Sequence, residues 1–508
     1  MRTYFAFLNG IAHSELVAPC DSLVYCHGDL LDTVQKLDMF EESKYFVDMG
    51  LKHSEEDVIA KFKNLSDVEK SNTTFMKSWV DDNFFEPGFE FEQVEFEIVD
   101  DPAFLSQVSD VDYRQWAHDL YKIWPLLGRQ VKKTVQENTD LTSFIPIEHH
   151  TVVPTGPDGR FRESYYWDTF WTLRGMLECG LVADVHDILL NFKDLITKFG
   201  FIPNGTRRYY TKRSQPPLFT MMVEDLIKYL PDDQKVIVLA EFLQSLTDEF
   251  TWWENNRSVT VDGQKLFRYA SEVNTNRPEA YMADEEVLSS VPEEQREILA
   301  AHITSAAESG WDFSYRWTGE ANIESSAVLA SLRTRDIVPV DLNFLMAYNA
   351  KKLSEMIERL SGGPTEESQK YEEKFLSIIS AIDSTLFDDS RKCYFDFDIS
   401  KNQLNKQFFA SNYVPLFTKV WSPGTNAEER EYDLFSSLKD FGVLDFKAGI
   451  PNSLRKTGQQ WDFPNAWPPS THMIIMGLAQ STNPDLVDAG NELAANWLKA
   501  NYELFKGI

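Results

Sequence analysis

Hydrophobic residues recur at helical spacing along much of the chain, and the stretch 341–388 shows this pattern most clearly. Asp341 can cap the start of a first helix, and Thr365 can cap a second. The two apolar stripes consist of Leu342, Leu345, Met346, Leu353, Met356, Ile357 and Leu360, and of Tyr371, Phe375, Ile378, Ile379, Ile382 and Leu386. Between them, Ser-Gly-Gly-Pro at 361–364 ends the first helix. The pattern therefore predicts a hairpin of two amphipathic helices with a tight connection.

The same periodicity predicts helices in other parts of the chain, whereas the alternation typical of strands is scarce. These further segments lie near 111–136, 183–198, 221–248, 291–308, 428–440 and 484–505. We predict a mainly helical single domain built of successive helix pairs, which spans residues 21–508 and begins with a less regular arm that ends near residue 110. Periodicity leaves open whether the pairs close into a ring or form an open array.

Composition limits the classes of partner that this domain is expected to bind. The chain has 508 residues and a net charge of −31, and 13% of its residues are aromatic. A surface of that charge repels nucleic acid and anionic membranes, so neither is an expected partner. Aromatic residues at that level favour a cleft lined by rings, which suits a neutral substrate.

The first residues and the cysteines bear on the location of the protein. Residues 1–20 resemble a weak secretory signal, with a basic second residue and a short apolar run. Cys20 and Cys26 are spaced so that they could close a small disulfide loop, while Cys179 and Cys393 are predicted to be buried thiols. Sequons for glycosylation begin at Asn64, Asn72 and Asn256. Together these features favour a secreted glycoprotein, and no stretch approaches the roughly 20 apolar residues of a membrane-spanning helix.

One acid, Asp312, stands among aromatic residues in the sequence ESGWDFSYRW at 308–317. Asp is a good helix cap, and in that interpretation the rings are ordinary core. Alternatively, the rings form a sugar-binding surface and burial raises the pKa of the carboxyl group. An Asp with a raised pKa can donate a proton near neutral pH.

Four further stretches with polar and aromatic residues lie between the predicted helices, at 159–173, 200–217, 276–281 and 458–472. Taken singly, each could be a packed corner or a solvated ion pair. Together, their amide, guanidinium and carboxylate groups in a ring-lined cleft suit a ligand with many hydroxyl groups, which is a sugar. A helical repeat scaffold that binds proteins would leave these loops unexplained.

Motifs for other chemistries are missing from the sequence. It contains no Walker-type or GxGxxG phosphate loop, no GxSxG elbow, and no HExxH or CxxC spacing. His149 and His150 adjoin Glu148, but consecutive residues rarely bind one metal ion, so we interpret them as surface or packing residues.

At these loops the chain resembles the trehalases, glycoside hydrolases that split α,α-trehalose into two glucose molecules with inversion. GRFRESYYWD at 159–168 and QQWDFPNAWPP at 459–469 are similar to the two signature stretches of the family. IPNG, KRSQPP, RPE and ESGWDFS resemble further family blocks in the same order. The similarity runs from about residue 20 to the last residue, and APCDSLVYC at 18–26 resembles the animal branch, which is usually secreted or at the cell surface.

The resemblance implies an (α/α)6 toroid with the sugar in a central pocket, no metal or organic cofactor, and trehalose as the small-molecule partner. It places Asp312 as the general acid. The substrate-binding residues that it implies are Arg160, Trp167, Asp168, Asn204, Arg213, Ser214, Gln215, Arg277, Glu279, Gly310, Trp461 and Trp467. Because Asn204 would lie in the pocket, its own sequon is expected to be inaccessible to glycosylation.

The resemblance also implies a general base, a Glu in a Glu-Lys-Tyr segment that follows a helix similar to AANWLKANYELFKGI. This sequence ends at Gly507-Ile508 without that segment, so the toroid is expected to be incomplete at its C-terminal end. Loss of a general base lowers a rate by about 10² to 10⁴. We therefore expect weakened hydrolysis, and the alternative is a non-catalytic sugar-binding or regulatory relative.

Overall fold

The structure, a computed structural model, describes residues 15–94, 96–156, 159–320 and 322–507. The first fourteen residues of the candidate signal segment lie outside the described residues.

Helices dominate the described chain. Those that precede the helix pairs are α1 (Asp29–Lys36), α2 (Ser43–Val47), α3 (Glu55–Lys63), α4 (Asp67–Lys70) and α5 (Thr73–Asn83) in the N-terminal arm, followed by α6 (Val111–Tyr121), α7 (Trp124–Leu127) and α8 (Lys133–Glu137). Six consecutive helix pairs follow, namely α9 (Tyr166–Glu178) with α10 (Val182–Phe199), α11 (Phe219–Lys228) with α12 (Asp232–Asn256), α13 (Tyr281–Ser289) with α14 (Glu293–Glu308), α15 (Val340–Ser361) with α16 (Glu366–Thr385), α17 (Val414–Thr418) with α18 (Ala427–Asp440), and α19 (Pro468–Ala479) with α20 (Pro484–Gly507). The prediction of a mainly helical chain built of helix pairs is confirmed.

The hairpin of α15 and α16 shows how the sequence dictates the pairs. Gly362 adopts the left-handed conformation, with φ of 74°, directly after α15. Thr365 caps α16 in a capping box with Ser368, as its position predicts. The prediction for Asp341 as a cap was wrong, because the helix already begins at Val340 and the Asp341 carboxylate instead pairs with Arg316.

Two other predicted helices are interrupted where proline intervenes. The segment 111–136 contains α6 and α7, and then a strand that begins at Gly128. Pro125 lies in the first turn of α7, the one place in a helix where a missing N–H is harmless. In 221–248, Pro231 occupies the N-cap position of α12 and so separates this helix from α11. The arm, which was expected to be irregular up to about residue 110, contains five helices, α1 to α5, among its described residues.

All paired strands are short and antiparallel. They are β1 (Gly50–Leu51), β2 (Phe84–Phe85), β3 (Phe91–Gln93), β4 (Gly128–Val131), β5 (Thr151–Val152), β6 (Ser258–Val261), β7 (Gln264–Phe267), β8 (Ile337–Val338), β9 (Phe387–Asp388), β10 (Cys393–Tyr394), β11 (Phe397–Asp398) and β12 (Gln403–Leu404). The sheet β3-β4-β5 lies in the arm, just before the first helix pair. The core of the domain is therefore formed by helices, and the short strands pair neighbouring loop segments through backbone hydrogen bonds.

A fully buried ion cluster joins the arm to the helix pairs. The Arg207 guanidinium lies 2.6 Å from Glu90 and 3.4 Å from Glu163. The Lys44 ammonium lies 2.8 Å from Glu163 and 2.5 Å from Asp48. Because buried charges are stable only when they are paired, this cluster fixes the arm against the body of the domain.

The structure shows several features that bear on the cellular location of the protein. Cys20 and Cys26 form a disulfide, Cys393 is buried, and Cys179 is only half-buried because it lies at the end of α9. The three sequon asparagines are exposed, whereas Asn204 is buried, as expected. Among the described helices, none combines the length and apolar character needed to cross a bilayer. Secretion and glycosylation remain predictions.

Candidate active site

The loops that sequence analysis singled out meet around one cavity of about 640 Å³. They come from the start of α9, the connection between α10 and α11, the approach to α13, the residues after α14 and the approach to α19. The predicted residues that line this cavity are Arg160, Trp167, Asp168, Asn204, Arg213, Gln215, Arg277, Glu279, Gly310, Asp312, Trp461 and Trp467. Stretches far apart in sequence thus form one concave site.

Ser214 is the predicted site residue that does not line the cavity. Its hydroxyl donates to the carbonyl of Ile202 at 2.7 Å, and its N–H donates to Glu308 at 2.9 Å. Its neighbours on either side, Arg213 and Gln215, both face the cavity. In an extended segment successive side chains point in opposite directions, so Ser214 anchors the loop from behind.

Asp312 is only partly exposed and faces the cavity. Burial raises the pKa of its carboxyl group, and the positive charge of Arg277 opposes that rise without cancelling it. The alternative interpretation of Asp312 as a helix cap is wrong, because the short helix that follows is capped by Ser314. The carboxyl group therefore faces the cavity with a pKa above its ordinary value.

The backbone around the acid is held by the loop before α19. The N–H of Trp461 donates to the carbonyl of Phe313 at 3.0 Å, and the side-chain amide of Gln460 donates to the carbonyl of Asp312. Behind them, the Asp462 carboxylate accepts from the Ser314 hydroxyl at 2.6 Å. The two loops are thus joined by hydrogen bonds from both backbone and side chains.

Stacked indole rings form one wall of the cavity. Trp461 lies between Trp311 and Trp467, with ring centroids 5.0 Å and 4.7 Å away and interplanar angles of 21° and 8°. Trp167 approaches Trp461 at 5.8 Å. Flat apolar rings of this kind can pack against the C–H face of a sugar ring, while the hydroxyl groups at its edge reach polar side chains.

Charged side chains that line the cavity are paired with one another. Arg213 donates to Glu279 at 2.7 Å and to Asn204 at 2.7 Å. Burial alone would raise the pKa of Glu279, but Arg213 and Arg277 outweigh it and lower that pKa. The pocket therefore presents fixed hydrogen-bonding groups with little net charge, which suits a neutral polyhydroxyl ligand.

Asp168 is a second carboxyl group in the cavity with a shifted pKa. Burial raises the pKa of Asp168 to about 6, and the charge of Asp312 adds to the rise. Two acids that affect each other's ionisation, placed in one cleft, are typical of a site for proton transfer.

Sequence analysis missed the contribution of the arm to this site. Lys44 lies at the edge of the cavity, where it pairs with Glu163. The sequence does indicate that Lys44 has an ion-pair partner, because Asp48 follows it by four residues, a spacing that allows an ion pair within a helix. The apolar residues Phe46 and Val47 lie between the two. That spacing alone does not reveal a partner 119 residues away in the chain.

Gly310→Ala is expected to distort the Trp167 wall, because a Cβ at this position would stand 2.5 Å from the Trp167 ring. We expect a loss of stability of about 1–3 kcal/mol from this overpacking and a weaker affinity for sugar. Gly362→Ala is the matched control, since it has the same φ of 74° but no atom within 4 Å of the added Cβ. Thermal unfolding and trehalose titration would compare them, and equal effects of the two variants would contradict the role given to Trp167.

A pocket of this kind, with a carboxyl group of raised pKa beside stacked indoles in a domain of helix pairs, has the groups that cleavage of a glycosidic bond requires. A family profile described as Trehalase matches residues 38–507. The chain is 36% identical to Trehalase of Homo sapiens over 98% of this chain and 84% of that protein. It is 37% identical to Trehalase of Tenebrio molitor over 95% of this chain and 86% of that protein. The chain belongs to the trehalase family.

A solved structure supports the architecture. Neutral trehalase from Saccharomyces cerevisiae aligns with a TM-score of 0.59 and 21% identity, over 75% of each chain. The six helix pairs therefore form the (α/α)6 toroid that the resemblance implied, and of the two arrangements left open by periodicity the closed ring is correct.

Proposed function

We propose that this protein hydrolyses α,α-trehalose to two glucose molecules by an inverting acid/base mechanism, with Asp312 as the general acid. The observation that carries the proposal is the place of Asp312, which faces the cavity together with Arg277 and the Trp461 wall. The relatives that bear the name Trehalase support the choice of substrate.

The acid acts on the oxygen that links the two sugars. As the glycosidic bond breaks, positive charge grows on one glucose ring and the leaving oxygen needs a proton. A carboxyl group whose pKa is raised by burial keeps its proton at a higher pH than an exposed Asp does, and Asp312 has such an environment. The hydrogen bond from Trp461 to the neighbouring carbonyl fixes the loop that aims the proton.

Substrate binding uses both sides of the cavity. The indoles of Trp461 and Trp467 offer apolar surface, and the paired Arg213 and Glu279 offer donors and acceptors in fixed positions. Since these polar groups are already oriented by one another, little conformational entropy is lost when the sugar binds.

Inversion also needs a second carboxylate, roughly 6.5 to 9.5 Å from the acid, that activates water on the far face of the sugar. Among the described residues, the other carboxylates that line the cavity are Asp168 and Glu279. Glu279 is held by Arg213 and is suited to binding. The expectation of weakened hydrolysis remains a prediction. It is tested by measuring the turnover number of this chain for trehalose and comparing it with that of a relative that has the Glu-Lys-Tyr segment.

Glucose release from trehalose by the purified chain is the direct experiment, with maltose as the control disaccharide. We expect release from trehalose and only background release from maltose. Early proton NMR spectra should show α- and β-glucose in equal amounts, because inversion changes only one of the two anomeric centres. Release of α-glucose alone would contradict inversion, and the absence of both binding and release would contradict the substrate.

A further inference from the structure

Glu42, at the start of helix α2 in the arm, forms an ion pair with Arg160. Arg160 lines the sugar cavity and also the two neighbouring grooves that the arm forms, so it stands on the wall between them. Its other polar contact is a long hydrogen bond of 3.5 Å to the carbonyl of Glu279. With 42% of its side chain exposed, Arg160 depends on Glu42 for a defined orientation.

The next two residues of the arm fix two more segments of the pocket. The N–H of Met282 donates to the Ser43 hydroxyl at 3.1 Å, which ties the arm to the segment that carries Arg277 and Glu279. The Lys44 ammonium pairs with Glu163 at 2.8 Å, three residues after Arg160. Ser43 and Lys44 therefore fix the backbone that presents Glu42 to the pocket wall.

We propose that Glu42 is a positioning residue for substrate binding, which acts by holding the Arg160 guanidinium at the wall of the cavity. The inference rests on the proposed function, because it assigns a role in binding the same sugar. It makes the arm a component of the site, although the arm lies outside the ring of helix pairs.

The expected effect falls on binding more than on turnover. An unpaired arginine side chain samples many rotamers, and that freedom has to be given up each time the sugar binds. Arg160 is aligned by Glu42 before the sugar arrives, and Asp312 is held by a different loop. Loss of Glu42 should therefore raise KM and leave kcat nearly unchanged.

A merely structural role predicts a different outcome. Partly exposed ion pairs contribute little to stability, so Glu42→Gln should scarcely change the melting temperature if positioning is its role. Glu41→Gln is the matched control, because Glu41 is the exposed neighbour, and the change removes the same charge from the same segment. Glu42→Asp keeps the carboxylate and provides the conservative variant.

The experiment measures KM and kcat for trehalose, the trehalose Kd by calorimetry, and thermal unfolding, in the wild-type chain and the three variants. We expect Glu42→Gln to raise KM and Kd about tenfold, the effect of losing one charge-assisted hydrogen bond. Glu41→Gln should match the wild type, and Glu42→Asp should recover most of the affinity. Unchanged KM and Kd in Glu42→Gln, or a fall in kcat and melting temperature alone, would overturn the inference. A wild-type chain that neither binds nor cleaves trehalose would overturn the proposed function, and with it this role for Glu42.

Discussion

Asp312→Asn is expected to lower the turnover number for trehalose by about 10² to 10⁴, the usual contribution of a general acid. Asn has nearly the same size and polarity but carries no acidic proton. The loop around the residue is held through the backbone carbonyls of Asp312 and Phe313, which the substitution leaves intact. The trehalose Kd and the melting temperature should therefore stay close to the wild-type values.

The pH dependence gives a second signature of the same residue. Because burial raises the pKa of Asp312 and the protonated form is the active one, kcat/KM should fall as pH rises through that raised pKa. Removing the charge of Asp312 should also lower the pKa of Asp168 from its value of about 6, since Asp312 contributes to that rise. Carboxyl titration by NMR, compared between the two proteins, measures this shift.

Asp389→Asn is a suitable control for Asp312→Asn, since the Asp389 side chain is 91% exposed and does not line the cavity. It should leave kinetics, binding and the pH profile unchanged. Retention of turnover by Asp312→Asn within about tenfold of the wild type would remove Asp312 from the role of the acid.

The helix pairs could be predicted because each pair is encoded locally. The apolar stripes of α15 and α16, the glycines between them and the capping Thr365 all lie within one continuous stretch. The cavity could be anticipated for a different reason. Loops that combine polar side chains with aromatic rings indicate a binding site, because packing alone does not require the polar groups. Their assembly into one site follows from a ring of helices that places its connections at a common end.

The sequence did not reveal contacts that depend on distant partners. Lys44 looks like an ordinary surface residue until Glu163 is placed beside it, and the pairing needs the arm to be docked. Ser214 belongs to a family motif, but the alternation of its segment turns its hydroxyl towards Ile202. A motif identifies which residues cluster, whereas the side-chain directions are set by the local backbone and by tertiary contacts.

Arg207→Met is expected to destabilise the fold by about 3–5 kcal/mol, the cost of leaving buried carboxylates without their partner. Arg207 is fully buried and faces Glu90, Glu163 and Asp48 at 2.6, 3.4 and 3.6 Å. Methionine fills a similar volume, so the loss is chiefly electrostatic. Lys44 and the more distant Arg162, 3.6 Å from Asp48, would remain to balance three acids, and the arm should detach first. Denaturant unfolding measures the free energy, and limited proteolysis tests whether cleavage begins in the arm.

The loss of stability caused by Arg207→Met should depend on pH. The direction of that dependence distinguishes an electrostatic loss from a packing loss. Burial would raise the pKa of Asp48, but Arg207 and Lys44 outweigh it and lower that pKa in the folded protein. The wild type therefore holds this stabilisation above the unfolded pKa of about 4 and loses it as pH falls. In the variant, Arg207 no longer lowers the pKa of Asp48 while burial still raises it, so we expect the stability of the variant to fall as pH rises. The difference between the two proteins should thus grow from pH 5 to pH 7.5, and a constant difference would assign the loss to packing.

Arg208→Met is the control for this comparison, because the same substitution is made one residue further along the chain. The Arg208 side chain is 27% exposed and its partner Asp140 is 91% exposed, so the pair is screened by water. Its removal should cost less than about 1 kcal/mol at any pH. If both variants lost the same free energy, the buried cluster would not be what holds the arm. If only Arg207→Met is destabilised and its KM for trehalose also rises, the cluster fixes both the fold of the arm and the wall of the pocket. Lys44 lines the cavity, and Glu42, at the same helix start, pairs with Arg160 on the cavity wall.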